Sequence, residues 1–187
     1  MPAKTVVAVS GGFDPIHIGH TRYIEESNKL GDELVVILNN DNWLINKKGF
    51  VFMPQEERKE VLEAIRGVSR VVITDHELEE SDRSVCRALR EIRPHIFSNG
   101  GDRKPDGDPV PEVEVCNELG IQMVYNVGYA GKVQSSSWLT GRVKQSGSAV
   151  AWTPWNTLTR SQQLYVFYTT VFFAVIGAID IAVRVVY

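Results

Sequence analysis

The sequence has little cysteine, no excess of positive charge and no apolar leader at its N-terminus. Its two cysteines, Cys86 and Cys116, form no C-x-x-C pair and have no histidine cluster nearby. We therefore expect neither a disulfide framework nor a zinc site, and a reducing cytoplasmic environment. The formal net charge is −3. Because a nucleic-acid-binding surface is normally basic, no nucleic-acid partner is expected. Residues 1–4 lead directly into a strand pattern, so no secretory signal is expected.

The sequence does contain a regular alternation of short apolar runs and amphipathic segments. This alternation predicts an α/β fold with a five-stranded parallel sheet and helices on both faces. Ligands of such sheets bind beyond the carboxyl ends of the strands. The predicted strands cover residues 5–9, 33–38, 68–74, 95–98 and 121–127, and the predicted helices cover 21–30, 56–66, 81–92, 112–119 and 135–144.

The strongest chemical signal lies between the first strand and the first helix, where residues 10–20 read S-G-G-F-D-P-I-H-I-G-H. The two glycines permit a sharp turn and the close approach of a ligand. The start of the following helix offers free N–H groups and a positive dipole end, which suit a phosphate. His17 and His20 add two imidazoles that can share protons. This combination of groups is suited to a charged phosphoryl transition state.

Residues 11–20 resemble the G-x-F-D-x-x-H-x-G-H signature of the nucleotidyltransferases related to cytidylyltransferases. A second segment, Ser135-Ser136-Ser137, resembles the family's hydroxyl-rich start of its closing helix. The resemblance covers about residues 5–145 and implies a Rossmann-like domain. It also implies transfer of CMP or AMP from a nucleoside triphosphate to a phosphorylated sugar or polyol, with release of pyrophosphate. Glycerol-phosphate cytidylyltransferases and heptose-phosphate adenylyltransferases look most similar.

The resemblance also implies roles for particular residues. His17 and His20 are expected to contact the α- and β-phosphates, and Lys48 to reach over them from the loop after the second strand, with Lys47 as the alternative. Mg²⁺ is expected to arrive with the triphosphate, held mainly by phosphates and water rather than by a protein metal site. The expected nucleotide-binding residues are Gly11, Gly12, Phe13, Asp14, Gly100, Asp102, Ser135, Ser136 and Ser137.

Two arginines in or next to a predicted helix fit the family's E-R and R-x-V stretches. Arg66 is expected to bind the acceptor phosphate. Arg58 either serves the site as well or pairs with a carboxylate of its own helix, such as Glu57 or Glu60.

The choice of nucleotide stays open between CTP and ATP. Cytidylyltransferases for glycerol phosphate carry an arginine where Tyr129-Ala130 stands here, whereas the turn at Gly100-Gly101-Asp102 resembles the heptose-type adenylyltransferases. Nicotinate-mononucleotide adenylyltransferases share the first motif and are one alternative. A non-catalytic, membrane-tethered nucleotide-binding regulator on the same fold is the other.

The C-terminal segment is predicted separately. We divide the chain into a nucleotidyltransferase domain (1–146), a linker (147–160) and a hydrophobic helix (161–187). Residues 164–179 carry no charge. This uncharged run is shorter than the roughly 20 residues that cross a bilayer, but the segment is long enough when the residues up to 187 are included. The helix is thus a candidate membrane anchor for a cytoplasmic domain. The alternatives are a helix in a homodimer interface, since a homodimer is expected, and a helix folded back over the sheet.

Overall fold

The computed structural model describes residues 4–100, 111–128 and 134–147, with side chains as far as residue 142. The chain divides into two compact units, Met1–Val143 and Lys144–Tyr187. Of the second unit only the backbone of residues 144–147 is described. The description below concerns the first unit.

The first unit contains a parallel sheet and the helices that connect its strands. The strands are β1 (Val6–Gly11), β2 (Glu33–Leu38), β3 (Val68–Ile73), β4 (Ile96–Gly100) and β5 (Gln122–Val127). The helices are α1 (Ile18–Asn28), α2 (Asp41–Lys48), α3 (Gln55–Glu63), α4 (Cys86–Ile92), α5 (Glu112–Leu119) and α6 (Ser136–Gly147).

All pairings in the sheet are parallel, and the strand order is β3-β2-β1-β4-β5. The chain runs outward from β1 to β3 and then returns to the other side of β1. The order therefore reverses between β1 and β4, at the position where such sheets bind ligands. The register pairs Gly11 with Leu38 and Leu38 with Ile73, so the carboxyl ends of three strands lie side by side.

Two apolar cores cover the two faces of the sheet. Val7 and Val9 of β1 pack in one core, with Ile24 of α1 and Leu62 of α3. Ala8, between those valines, packs in the other core, which holds Leu89 of α4 and Val115 of α5. Successive strand residues point to opposite faces, so a continuous apolar strand is buried on both. The predicted five-stranded parallel sheet with helices on both faces is confirmed.

Helix α2 was not predicted, because Asn39-Asn40-Asp41-Asn42 is a sequence typical of turns. The prediction of a loop over residues 39–48 is wrong. Asn40 is instead the N-cap of α2, and its side chain accepts a hydrogen bond of 2.9 Å from the Trp43 N–H. Gly49 ends the helix in the left-handed conformation, with φ +78°.

Other helix limits also differ from prediction. Helix α1 begins three residues early, because His17 caps it, and α4 begins at Cys86 rather than Ser81.

Within the described part of the chain, no helix is long and apolar enough to cross a bilayer. The predicted hydrophobic helix, residues 161–187, lies outside the described residues, as does the linker apart from Gly147.

Candidate active site

The two histidines of the motif form a stacked pair at the start of α1. Nδ1 of His17 accepts the Gly19 N–H at 3.1 Å, and Nδ1 of His20 accepts the His17 N–H at 3.3 Å. The ring centroids lie 3.7 Å apart with an interplanar angle of 18°. Because each Nδ1 accepts a hydrogen bond, a neutral ring carries its proton on Nε2. The hydrogen bonds of the helix cap therefore leave Nε2 of each ring as the donor.

The glycine between the histidines is required by this packing. A Cβ on Gly19 would lie 3.0 Å from both Nδ1 and Cε1 of His17. The imidazole of His17 folds over the helix start only because that space is empty. On the far side, the edge of the Phe13 ring meets His20, with centroids 4.9 Å apart at 68°.

The electrostatics keep both imidazoles neutral near pH 7. Burial lowers the pKa of His20 to about 3, and the neighbouring charges of His17 and Lys48 add to this effect. Burial also lowers the pKa of His17, again with a contribution from Lys48. Lys48 lowers the pKa of both rings from the motif loop, where its ammonium binds the Asp14 carbonyl at 2.7 Å. As neutral rings, the two histidines can offer hydrogen-bond donors rather than positive charges.

The loop before the histidines turns at Phe13, not at its glycines. Phe13 has φ +48°, in the left-handed region, whereas neither Gly11 nor Gly12 has a positive φ. A Cβ on Gly11 would lie 3.1 Å from the Phe13 ring, and one on Gly12 would lie 3.0 Å from Cδ2 of Leu44 in α2. The glycines make room for Phe13 and for α2. The prediction that they create the turn is therefore corrected.

Asp14 organises the loop around it. Its fully buried carboxylate accepts the N–H groups of Phe52 and Met53, at 3.0 and 2.7 Å. Its carbonyl oxygen accepts the ammonium of Lys48 at 2.7 Å. With the side chains of Phe13 and Asp14 both buried, a nucleotide can meet only main chain at these two positions.

The two lysines of α2 have different surroundings. Lys48, the last residue of the helix, is half-buried beside Asp14, and burial lowers its pKa while Asp14 opposes that shift. Lys47 instead lies over the Trp43 ring, with Nζ 4.4 Å from the centroid. Lys48 thus binds the motif loop and lowers the pKa of both histidines, whereas the described contact of Lys47 is with Trp43. Both lysines belong to the last turn of α2 rather than to the predicted loop.

Arg58 of α3 is fully buried and makes no pair with Glu57 or Glu60. Instead its guanidinium binds the main chain around the site and one carboxylate. Nε donates to the Met53 carbonyl at 2.8 Å, and Nη1 donates to the carbonyls of Gly12 and Asn39 at 2.7 and 2.8 Å. Nη2 pairs with Asp41. Of the two alternatives left open for Arg58, the pairing with a carboxylate of its own helix is therefore wrong.

The start of α6 lies against the motif loop. The Ser136 hydroxyl donates to the Pro15 carbonyl at 3.0 Å. The Ser135 carbonyl accepts the N–H groups of Trp138 and Leu139, and Ser137 is exposed. The Gln134 carbonyl lies 3.8 Å from the position of a Cβ on Gly19. The N-termini of α1 and α6 therefore converge, which concentrates positive dipole ends beside the histidines.

The remaining predicted positions are Arg66, Gly100 and Asp102. Arg66 is exposed in the turn before β3, at the amino end of a strand that spans about 20 Å at 3.3 Å per residue. Gly100 ends β4 against the Tyr23 ring, where a Cβ would lie 2.7 Å from Cδ2. Asp102 lies outside the described residues. Within the described ranges there is no group of three or more His, Cys, Asp or Glu side chains that could hold a metal.

The contacts of Arg58 with main-chain carbonyls were not predicted from the sequence, and neither was a role for His76, which is buried after β3. The only signal for Arg58 was its place in the E-R stretch. Nothing in the sequence indicates that its partners are main-chain carbonyls of distant loops.

Comparisons with known proteins agree with this geometry. The cytidylyltransferase-like family model matches residues 8–177, further than the motifs alone indicated. The FAD synthase of Methanoculleus marisnigri is 33% identical over 137 residues, which cover 73% of this chain and 87% of that protein. The bifunctional protein HldE of Cronobacter sakazakii is 37% identical over 125 residues, 66% of this chain but only 25% of that protein.

A solved structure supports the same assignment. The lipopolysaccharide core biosynthesis protein from Thermoplasma volcanium has a TM-score of 0.55 and 27% sequence identity. The alignment covers 68% of this chain and 99% of that protein. Together, the site geometry, the family match and these relatives establish that the chain belongs to the cytidylyltransferase-like family and is a nucleotidyltransferase.

Proposed function

We propose that the protein transfers AMP from ATP to a terminal phosphate on a sugar or polyol and releases pyrophosphate. The observation that carries this proposal is the pair of neutral, stacked histidines, with Nδ1 of each committed to the helix cap, beside the ammonium of Lys48. Such a group of donors suits an oxygen that gains negative charge.

The chemistry needs alignment and charge more than it needs a nucleophile from the protein. An oxygen of the acceptor phosphate is already anionic, so it attacks the α-phosphorus without losing a proton. Pyrophosphate leaves on the opposite side, and the charge builds up on the phosphoryl oxygens. The Nε2–H groups of His17 and His20 donate to these oxygens. Lys48 adds a flexible positive charge.

The start of α6 is suited to the departing phosphates. Its first N–H groups lie next to the motif loop, because Ser136 is bound to Pro15 and Gln134 lies near Gly19. Main-chain N–H groups and the helix dipole bind phosphate oxygens at helix starts. Ser135 and Ser137 belong to this start. The Ser136 hydroxyl, in contrast, is already engaged by the protein.

Mg²⁺ enters this proposal with the nucleotide, where it would neutralise triphosphate charge. The carboxylate of Asp14, in the motif loop, is buried and accepts two main-chain N–H groups, so it is not free to hold an ion. The chemistry of the remaining site, imidazole N–H groups and an ammonium, suits phosphates. Ligation by phosphates and water is therefore the arrangement that these residues fit.

The relatives favour ATP over CTP. FAD consists of an AMP unit joined to flavin mononucleotide, and several of the similar proteins are FAD synthases. The reactive end of flavin mononucleotide is a ribityl phosphate, which is itself a polyol phosphate. One acceptor chemistry thus includes both flavin and sugar-type substrates.

The test is a matrix of pyrophosphate-release assays with Mg²⁺. ATP, CTP, GTP and UTP are each combined with flavin mononucleotide, glycerol 3-phosphate, ribitol 5-phosphate and a heptose phosphate. We expect release with ATP and at least one phosphorylated acceptor, with the matching AMP-linked product found by mass spectrometry. Riboflavin and glycerol, which lack the phosphate, are the controls and should give none.

Other outcomes separate the alternatives. Release with CTP alone would overturn the choice of nucleotide. Tight nucleotide binding with no release from any combination would favour the non-catalytic regulator.

The proposed assembly is a homodimer with a cytoplasmic catalytic domain that residues 161–187 attach to a membrane. Size-exclusion chromatography with light scattering tests the dimer. Fractionation of the full-length chain with and without detergent tests the attachment. Recovery of the protein in the soluble fraction without detergent would contradict the anchor and favour a helix in the dimer interface.

A further inference from the structure

A buried arginine joins four segments that surround the candidate site. Arg58 belongs to α3 and contacts neither histidine by any described hydrogen bond. Its guanidinium instead binds the carbonyl of Gly12 in the motif loop, the carbonyl of Asn39 after β2, the carbonyl of Met53, and the carboxylate of Asp41. A fully buried charge is costly unless such partners satisfy it.

Two of these partners lie at the start of α2. Asp41 is the first residue of that helix and Asn39 lies just before its N-cap. Lys48 is its last residue, and the ammonium of Lys48 binds the Asp14 carbonyl at 2.7 Å. A rigid helix of eight residues therefore connects the Arg58–Asp41 ion pair to the lysine of the site.

The same arginine also fixes the loop to which Lys48 binds. The Met53 carbonyl accepts Arg58, while the Met53 N–H donates to the Asp14 carboxylate at 2.7 Å. The Gly12 carbonyl, two residues before Asp14, accepts Arg58 as well. Arg58 thus holds the first turn of α2 and the acceptor of the Lys48 ammonium in one frame.

We propose that Arg58, through its ion pair with Asp41, is the positioning residue that places Lys48 at the phosphates. This inference rests on the proposed function, since Lys48 is assigned there. Lysine cannot replace Arg58, because an ammonium has three donors at one point, whereas the guanidinium reaches separate partners from a planar fork. A misplaced Lys48 would weaken the transition state more than it weakens the fold.

The test is a double-mutant cycle of Asp41→Asn and Lys48→Met, read as kcat for pyrophosphate release. If the ion pair acts through Lys48, Asp41→Asn lowers kcat by about 10-fold alone and by less than about 2-fold in the Lys48→Met background. Arg58→Lys should show the same masking. Circular dichroism establishes that each variant is folded before its kinetics are compared.

The control substitution is Asp32→Asn. The carboxylate of Asp32 accepts the Thr5 N–H at 2.8 Å rather than an arginine, and it lies next to the start of β2, at the amino edge of the sheet. A role limited to stability predicts that Asp41→Asn lowers kcat by the same factor with and without Lys48, or leaves it unchanged as Asp32→Asn does. Either result would overturn the proposal.

The outcome remains readable if the proposed reaction is wrong. Wild-type protein that releases no pyrophosphate with any combination contradicts the proposed function alone. The same cycle is then read as the Kd for MgATP by calorimetry. Masking of the Asp41→Asn effect by Lys48→Met in Kd supports the positioning role, and equal effects in both backgrounds overturn it.

Discussion

Two histidine-containing segments follow strands at the carboxyl edge of the sheet, and they differ in what the fold leaves exposed for chemistry. After β1, His17 and His20 use Nδ1 to accept N–H groups of the helix cap, and no described residue hydrogen-bonds to either Nε2. After β3, His76 uses both nitrogens: Nδ1 contacts the Thr74 hydroxyl at 2.8 Å and Nε2 contacts the Ser84 carbonyl at 3.0 Å.

The hydrogen bonds at the second segment determine which ring nitrogen of His76 carries the proton. Oγ1 of Thr74 accepts the Asn40 N–H at 3.1 Å, so its own hydrogen is directed to Nδ1 of His76. Nε2 of His76 therefore carries the proton and donates to Ser84. The His76 carbonyl accepts the side-chain amides of Asn40 and Asn42, at 2.8 and 2.9 Å. This histidine attaches the start of α2 to the end of β3.

The comparison shows what leaves a histidine at this edge of the sheet with a ring nitrogen that can bind a ligand. Both segments occupy the ligand-binding side of the sheet, so position alone does not separate them. The difference is whether the protein satisfies one ring nitrogen or two. The predictions below test this difference, starting with the largest effect.

The first prediction replaces only the donor that faces the site. In His17→Asn or His20→Asn, the amide oxygen can replace Nδ1 in the cap, while the Nε2–H is lost. We expect kcat to fall by about 100-fold or more, the usual scale for a lost transition-state donor, with little change in Tm.

The opposite variant, His20→Gln, sharpens this result. Its amide nitrogen lies where Nε2 was, but it loses the acceptor for the His17 N–H. It should keep more activity than His20→Asn and lose about 1 kcal/mol of stability as a lost cap. Near-normal turnover in both asparagine variants would contradict the assignment of the pair to the reaction.

The second prediction compares neighbouring lysines. Lys48→Met should lower kcat by about 30-fold, within the range for removing one preorganised charge, because its ammonium lies beside the histidines. Lys47→Met removes the same charge from the same helix turn, but the described contact of Lys47 is with the Trp43 ring of its own helix. Steady-state kinetics on both variants check this difference. Equal losses would mean that general positive charge, rather than the placement of Lys48, supports the reaction.

Much of this fold could be predicted from the sequence, because apolar strand runs and helix periodicity are local. All five strands fall within two residues of their predicted limits. Helix α2 could not be predicted, since Asn40 reads as a turn residue until its cap to Trp43 is seen. The fixed spacing of the motif identified His17 and His20. The role of Arg58 depends on carbonyls far apart in the chain, which no local pattern encodes.

The third prediction concerns His76, whose two ring nitrogens both have hydrogen-bond partners within the protein. His76→Ala leaves the buried Thr74 hydroxyl without its acceptor and the Ser84 carbonyl without its donor. We expect the free energy of unfolding to fall by about 2 kcal/mol, the scale for unsatisfied buried polar groups. Denaturant titration measures this loss. The kcat of the folded protein should change by less than about 3-fold, and a larger loss of kcat than of stability would contradict a purely structural role.

The last prediction uses the low pKa of His20 to follow the cost of burying its ring. In the unfolded chain this ring binds a proton near its ordinary pKa of 6.5, whereas the folded protein binds it only near pH 3. The unfolded state therefore takes up the proton first, so the stability due to the neutral ring is complete above pH 6.5 and is lost as the pH falls towards 3. The loss is at most about 1.4 kcal/mol per pH unit.

Between pH 6.5 and 5.5, the unfolding free energy of the wild type should thus fall by about 1 kcal/mol more than that of His20→Asn or His20→Gln, since neither amide titrates. Parallel pH profiles for the three proteins would show that the ring is protonated as readily in the folded state as in the unfolded chain, and they would contradict the lowered pKa of His20.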